Sequence, residues 1–380
     1  MHAQMHDNKS LNEVLSEALK TREEKGLLRK LTANVGLTDF CSNDYLGFSH
    51  SFFSNNDIIS SSDEHKCSGS TGSRLVSGNS CLAEETERNI AAFHNAESAL
   101  LFSSGFMANI GLFSCIADKN TTYIYDEQVH ASIKDGMRLS FAKRYKFNHN
   151  DINDLESKLK TAEGRKIVVV ESLYSMDGDL GPLKEITSLC KLYNAQLIVD
   201  EAHSTGIYGK DGEGLVCEHN LEDEVWARVH TFGKAVGLHG AAVVGSLLLR
   251  NFLINHAHSF IYTTAMPPYA YEHLNHAYKM LPGADREGLF DLIHFFKKKS
   301  EDTKGIQFLT NPSPIQGILV GDNTKAASMA DHLRKHGFFV KAILSPTVSP
   351  GTERIRICIH SYNTREEIDE LFNAIKMFSE

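Results

Sequence analysis

The sequence predicts an α/β protein, a large unit on a mostly parallel sheet flanked by helices followed by a smaller α+β unit. Two observations predict it. From about residue 82, short apolar β-branched runs alternate with helical stretches, the pattern of a sheet covered on both faces. After "LPGADREG" (281–288) the chain changes character, and helices and strands follow in mixed order to the end. The chain therefore divides into an N-terminal helix and arm (1–45), a large domain (46–282) and a small C-terminal domain (283–380).

The elements follow in order. Leu11, Val14, Leu15, Ala18 and Leu19 sit at helical spacing and predict an amphipathic helix over 11–30. "SALLF" (98–102), "TTYIYD" (121–126), "KIVVVES" (166–172), "AQLIVD" (195–200), "WARVHT" (226–231) and "AAVVGSLLL" (241–249) read as strands. Between them lie helical patterns at 131–140, 151–160 and 183–193. In the small unit, a lysine-rich helix (289–304) precedes "SPIQGILVG", a helix at 323–336, "FFVKAI", "RIRICIH" and a last helix from about 364. No internal repeat occurs, and the only biased segment is the serine cluster at 60–62.

Bulk properties exclude several classes. A net charge of −9 argues against nucleic acid as a partner. No run of about 18 apolar residues exists to span a membrane as a helix, and the polar N-terminus lacks a signal-peptide core. The seven cysteines are scattered without a C-x-x-C pair, which points to reduced thiols and a cytoplasmic protein. The nineteen histidines are also dispersed, read here as having no H-x-x-x-H pair on a helix, so no metal site is expected.

In an open α/β sheet, ligands collect beyond the carboxyl ends of the strands. After "SALLF" comes "SSGFMAN", a small-residue turn opening a helix whose free N–H groups suit a phosphate. The next strands are followed by His130, by Ser175, by Asp200 and His203, and by Thr231 and Lys234. Each has an ordinary structural reading when taken singly. Their convergence on one edge points to pyridoxal phosphate, which needs a lysine for its Schiff base, a carboxylate for its pyridine nitrogen and a helix N-terminus for its phosphate.

A wider set of motifs then carries a resemblance. "SNDYLGF" (42–48), "GSTGSRLVSGN" (69–79), "FHNAESALLFSSGFMAN" (93–109), "DEQVHASIKDGMRLS" (126–140), "ESLYSMDGDLGPL" (171–183), "VDEAHSTGIYGKDGEG" (199–214), "TFGKAVGLHGAAVVGS" (231–246, from Thr231) and "FIYTTAMPP" (260–268) resemble the α-oxoamine synthase family. These are fold type I pyridoxal-phosphate enzymes that join an amino acid to an acyl-CoA. The resemblance implies that Lys234 carries the cofactor and then removes the substrate's Cα proton. It implies that Asp200 pairs with the pyridine nitrogen, that His203 and Ser175 serve the ring 3-oxygen, and that His130 stacks on the ring. Gly105, Phe106 and Thr231 would hold the phosphate. Arg356 would bind the amino acid's carboxylate with help from Asn43, and Thr347 would touch substrate. The resemblance further implies a homodimer, with Thr263 or Thr264 reaching the partner's phosphate.

The implied reaction is a Claisen condensation of the Cα carbanion with the thioester, followed by loss of CO2. "FNHND" (147–151), "FIYTTAMPP" and "IQGILVGDN" (315–323) most resemble the branch that condenses L-alanine with pimeloyl-CoA or pimeloyl-ACP to 8-amino-7-oxononanoate in biotin synthesis. Branches using serine and palmitoyl, or glycine and acetyl, stay open. Arg29 matches an arginine of the first branch that would meet the far carboxylate of the pimeloyl chain. The segment between "LLRK" (27–30) and "SNDYLG" is shorter than the family pattern, which implies a missing hairpin near the entrance.

Overall fold

The computed structural model describes residues 9–51 and 68–379. The serine cluster at 60–62 and Cys67 lie outside the described residues. The strands in chain order are β1 (Thr38–Asp39), β2 (Ser98–Phe102), β3 (Thr121–Asp126), β4 (Lys143–Phe147), β5 (Arg165–Glu171), β6 (Ala195–Asp200), β7 (Ala227–Thr231), β8 (Ala241–Gly245), β9 (Phe308–Leu309), β10 (Ile315–Leu319), β11 (Phe338–Phe339), β12 (Lys341–Ile343) and β13 (Arg354–Cys358). Seven form one sheet in the order β2-β8-β7-β6-β5-β3-β4, in which β8 alone runs antiparallel to its neighbours. The carboxyl ends of the other six therefore share one edge.

The period-two geometry of a strand explains why both faces are covered. On β5, Val168 and Val170 join one hydrophobic cluster, while Ile167 and Val169 join the cluster on the other face. On β6, Leu197 and Val199 face one way and Ile198 the other. Burying each such side chain is worth about 1.5–3 kcal/mol, so these strands make a stiff platform for whatever sits at their ends.

A second sheet, β12-β13-β10-β9, is antiparallel throughout. β1 pairs in parallel with β11, and the bonds continue beyond it: Cys358 N–H donates to the Phe40 carbonyl and Ser361 N–H to the Tyr45 carbonyl, both at 2.8 Å. The segment before the large sheet is thus stitched to the end of the chain.

Several elements differ from the sequence reading. The first helix spans Leu11–Glu24 and stops short of residue 30 because Gly26 takes a left-handed φ of 65°. None of its side chains is buried, so its apolar stripe faces outward in the single chain. "AAVVGSLLL" is divided: the strand ends at Gly245, and Ser246 accepts a hydrogen bond from Leu249 N–H to start the helix Leu247–His256. "FFVKAI" is also divided, giving β11 and β12 in different sheets. β4 was not expected; four of its five residues, in "KRYKF", are exposed at the sheet edge. Among the described residues one H-x-x-x-H pair occurs, His332 and His336, at the end of the helix Asn323–Lys335. Their rings face the carbonyls of Ala374 and His332, and among the described residues no three ligands cluster for a metal. Among those residues, too, no helix is long and apolar enough to cross a membrane.

Behind β7, His94 is fully buried, stacked on His230 with ring centroids 3.6 Å apart. Its Nδ1 donates to the Glu213 carbonyl and its Nε2 accepts from the Tyr278 hydroxyl, which fixes a neutral tautomer. Burial, with the Arg228 charge, pulls its pKa down to about 3. The unfolded chain therefore binds a proton that the folded one refuses between about pH 6.5 and 3, so stability falls as pH falls through that window. Replacing His94 with glutamine is expected to flatten this acid limb by roughly 3 kcal/mol, read from urea midpoints between pH 7 and 4. An unchanged slope would assign the acid sensitivity elsewhere.

Candidate active site

The common strand edge opens on a cavity of about 240 Å³ lined by Asn43, Gly105, Phe106, His130, Asp200, His203, Thr231 and Lys234. They enter from five different strand ends or turns. Ser104 ends the turn after β2 and caps the helix Gly105–Cys115, accepting from Met107 N–H. The first-turn amides of Gly105 and Phe106 have no intrahelical partner and so suit an anion. A Cβ on Gly105 would stand 2.4 Å from the Thr231 methyl, so only glycine lets this helix end meet the end of β7.

Lys234 lies on the tight turn between β7 and β8. Gly237, at φ 68°, lets that turn press against Phe48 and Ser49, since a Cβ there would fall 2.4 Å from Ser49 N. Lys234 is half-buried, and burial lowers its pKa to about 8 against the pull of Asp200 and Glu171. An amine in that range can both bond a carbonyl carbon and take a proton near neutral pH.

Asp200 ends β6 and is almost wholly buried. Its carboxylate accepts from Ala202 N–H and from the Asn109 amide, both at 2.9 Å. Asn109 also donates to Ser132 Oγ at 3.0 Å, which stands 2.7 Å from His130 Nδ1. A second carboxylate, Glu171, sits opposite Asp200 in register on β5 and accepts from His130 N–H at 2.6 Å. Burial, then the Asp200 charge, holds Glu171 well above the usual carboxylate range. His203 is buried with Nδ1 2.8 Å from the Tyr45 hydroxyl; burial, then Lys234 and Arg356, keeps it neutral.

Arg356, on β13, does not line the cavity itself but bonds Asn43, which does. Its guanidinium is buried and donates to the Ser175 carbonyl (2.7 Å), the Asn43 amide oxygen (2.9 Å) and Cys358 Sγ (2.9 Å). Among the described residues no carboxylate pairs with it, so a buried cation lacks a counter-ion.

The structure brings most of the expected residues together, but not all. Ser175 does not line the cavity; its carbonyl accepts from Arg356. Arg29 and Thr347 are exposed, and neither lines the cavity. Thr263 and Thr264 line a separate small cleft with Arg74 and Tyr271. Asn109, Ser132, Glu171 and His239 line the cavity without having been expected.

The model of the family described as aminotransferase class I and II matches residues 35–375. The chain belongs to this family of pyridoxal-phosphate enzymes. It is 42% identical to the 8-amino-7-oxononanoate synthase of Emericella nidulans over 97% of this chain and 95% of that one. Among solved structures, a serine palmitoyltransferase variant from S. paucimobilis with a bound PLP–myriocin adduct is 27% identical with a TM-score of 0.88, covering 98% of both chains. An 8-amino-7-oxononanoate synthase from Francisella tularensis is 28% identical with a TM-score of 0.76, covering 90% of this chain and 97% of that one. The residues fit the family's cofactor: a helix end free to take its phosphate, an amine to bond it, and a buried carboxylate to face its ring.

Proposed function

We propose that this aminotransferase-family enzyme condenses L-alanine with a pimeloyl thioester, releasing the thiol and CO2 to give 8-amino-7-oxononanoate. The observation that carries the reading is a buried arginine with no counter-ion among the described residues, whose charge reaches a lysine of lowered pKa: one offers a carboxylate site, the other a base. The identity to curated 8-amino-7-oxononanoate synthases supports the choice of substrates.

When bound, pyridoxal phosphate supplies an electron sink for the bond broken at the amino acid's Cα. Gly105, Phe106 and Thr231 would hold its phosphate, Asp200 would keep its ring nitrogen protonated, and His203, the Ser175 segment and His130 would contact its ring. Arg356 and Asn43 take the amino acid's carboxylate, which places the Cα hydrogen toward Lys234. Lys234 removes that proton and later returns one. Arg29, on the exposed arm, is our candidate for the far carboxylate of the acyl chain, and the outward apolar stripe of the first helix supports a homodimer.

The test is a panel of amino acids against acyl thioesters, scored by thiol release. Turnover is expected with alanine and pimeloyl-CoA, from a species of about twice 42.3 kDa. Arg29→Met should shift the specificity ratio of pimeloyl-CoA to octanoyl-CoA toward the neutral chain by about 1.5–3 kcal/mol, the scale of a charge-assisted hydrogen bond. Faster turnover of serine with palmitoyl-CoA would replace the proposal.

A further inference from the structure

The motif "FNHND" has no part in the chemistry above, yet His149 holds an unusual position. Its Nδ1 lies 3.0 and 3.1 Å from the two carboxylate oxygens of Asp126, at the end of β3. Its Nε2 lies 2.7 Å from Asp179 Oδ2. Both ring nitrogens meet carboxylates, so both must carry hydrogen and the ring is cationic. Burial works against that charge, but the hydrogen bonds to Asp126 and Asp179 outweigh it and raise the pKa to about 9. Asn150 adds a bond from its N–H to Asp126 at 2.8 Å and from its amide to Asp179 at 2.7 Å. Asp151 then caps the helix Ile152–Thr161.

Asp179 belongs to a tight hairpin, residues 172–181. Tyr174 N–H donates to the Asp179 carbonyl and Gly178 N–H to the Tyr174 carbonyl. The hairpin's other side is gripped by the small sheet: Ser313 Oγ donates to the Gly178 carbonyl at 2.7 Å, Asp177 pairs with Arg354, and a Cβ on Gly178 would strike the Ile315 carbonyl. At its tip, the Ser175 carbonyl takes the Arg356 Nε–H.

We infer that His149 is a positioning residue: by clamping Asp179 to Asp126 it fixes the hairpin whose Ser175 carbonyl aims Arg356, and so sets the affinity for the amino acid's carboxylate. This rests on the role of Arg356 proposed above. Such an ionic clamp between the buried Asp126 and the half-buried Asp179 loses its meaning if either charge is removed, because the remaining groups are left unpaired. Because the route ends on one guanidinium, the effect falls on amino-acid binding. A displaced guanidinium costs up to about a hundredfold.

The experiment is steady-state kinetics of the holoenzyme variants His149→Gln and Asp179→Asn, with Arg356→Lys alone and combined with each. The expected result is an about tenfold rise in KM for L-alanine, with KM for pimeloyl-CoA, kcat and the bound cofactor's absorbance near parent values. In the Arg356→Lys background the same changes should add little, since the guanidinium they aim is gone. If His149→Gln does not fold, Asp179→Asn carries the same expectation. An unchanged alanine KM in folded variants, an equal loss in every parameter, or full additivity with Arg356→Lys would overturn the inference. If Arg356→Lys itself leaves the alanine KM unchanged, the carboxylate site fails first and takes the inference with it.

Discussion

Lys234→Ala should abolish turnover, lowering kcat by at least about 10⁴-fold, because in the proposed mechanism one side chain is both the attachment point and the base, and a positioned base alone is worth 10²–10⁴. No neighbour can take over. The charges of Asp200 and Glu171 act on the lysine, but burial and Asp200 raise Glu171 well above the usual carboxylate range, and His203 is tied to Tyr45. The variant is expected to keep its fold, since it removes a buried amine whose desolvation opposes its charge. Residual turnover within a hundredfold of the parent, with the lysine's absence confirmed by mass, would move the base elsewhere.

Asp200→Asn should be the second largest loss, a fall of about 10²–10³ in kcat with cofactor still bound, the range for removing one preorganised charge. The substitution keeps the shape of the side chain. It sets an amide against the Asn109 amide, which now donates to Asp200 Oδ2, and it leaves nothing to hold a proton on the ring nitrogen. Asn109→Ala offers a control, since it removes the donor and leaves the charge. A kcat for Asp200→Asn within tenfold of the parent would sink the assignment.

The fold was legible because its strands are buried on both faces and so read as continuous apolar runs. β2, β3 and β6 have the ends that composition alone marks. β4 was not legible because an edge strand carries charged residues for solubility, and "KRYKF" looks like a loop. The boundary inside "AAVVGSLLL" was missed because Val and Leu suit either state; the decisive signal, Ser246 three residues before Leu249, is a cap and not a hydropathy feature. The same contrast holds at the cavity. Lys234, Asp200 and His203 follow strands and announce themselves by position. Asn109 lies inside a helix and Glu171 ends a strand as a cap would, so only their partners, Asp200 and His130, give them meaning. Arg29 and Thr347 came from resemblance alone, and in a single chain the structure leaves them at the surface.

The pairing of β1 with β11, and of Phe40 and Tyr45 with Cys358 and Ser361, bears on the order of synthesis. Asn43 sits between those contacts and shares its amide oxygen with Arg356. The large sheet and its lysine are complete once residue 245 has left the ribosome, and domains generally form as they emerge. The two residues that would grip a carboxylate cannot meet until more than a hundred further residues have followed. A nascent chain therefore owns the chemistry of Lys234 well before it owns the means to choose what that chemistry acts on.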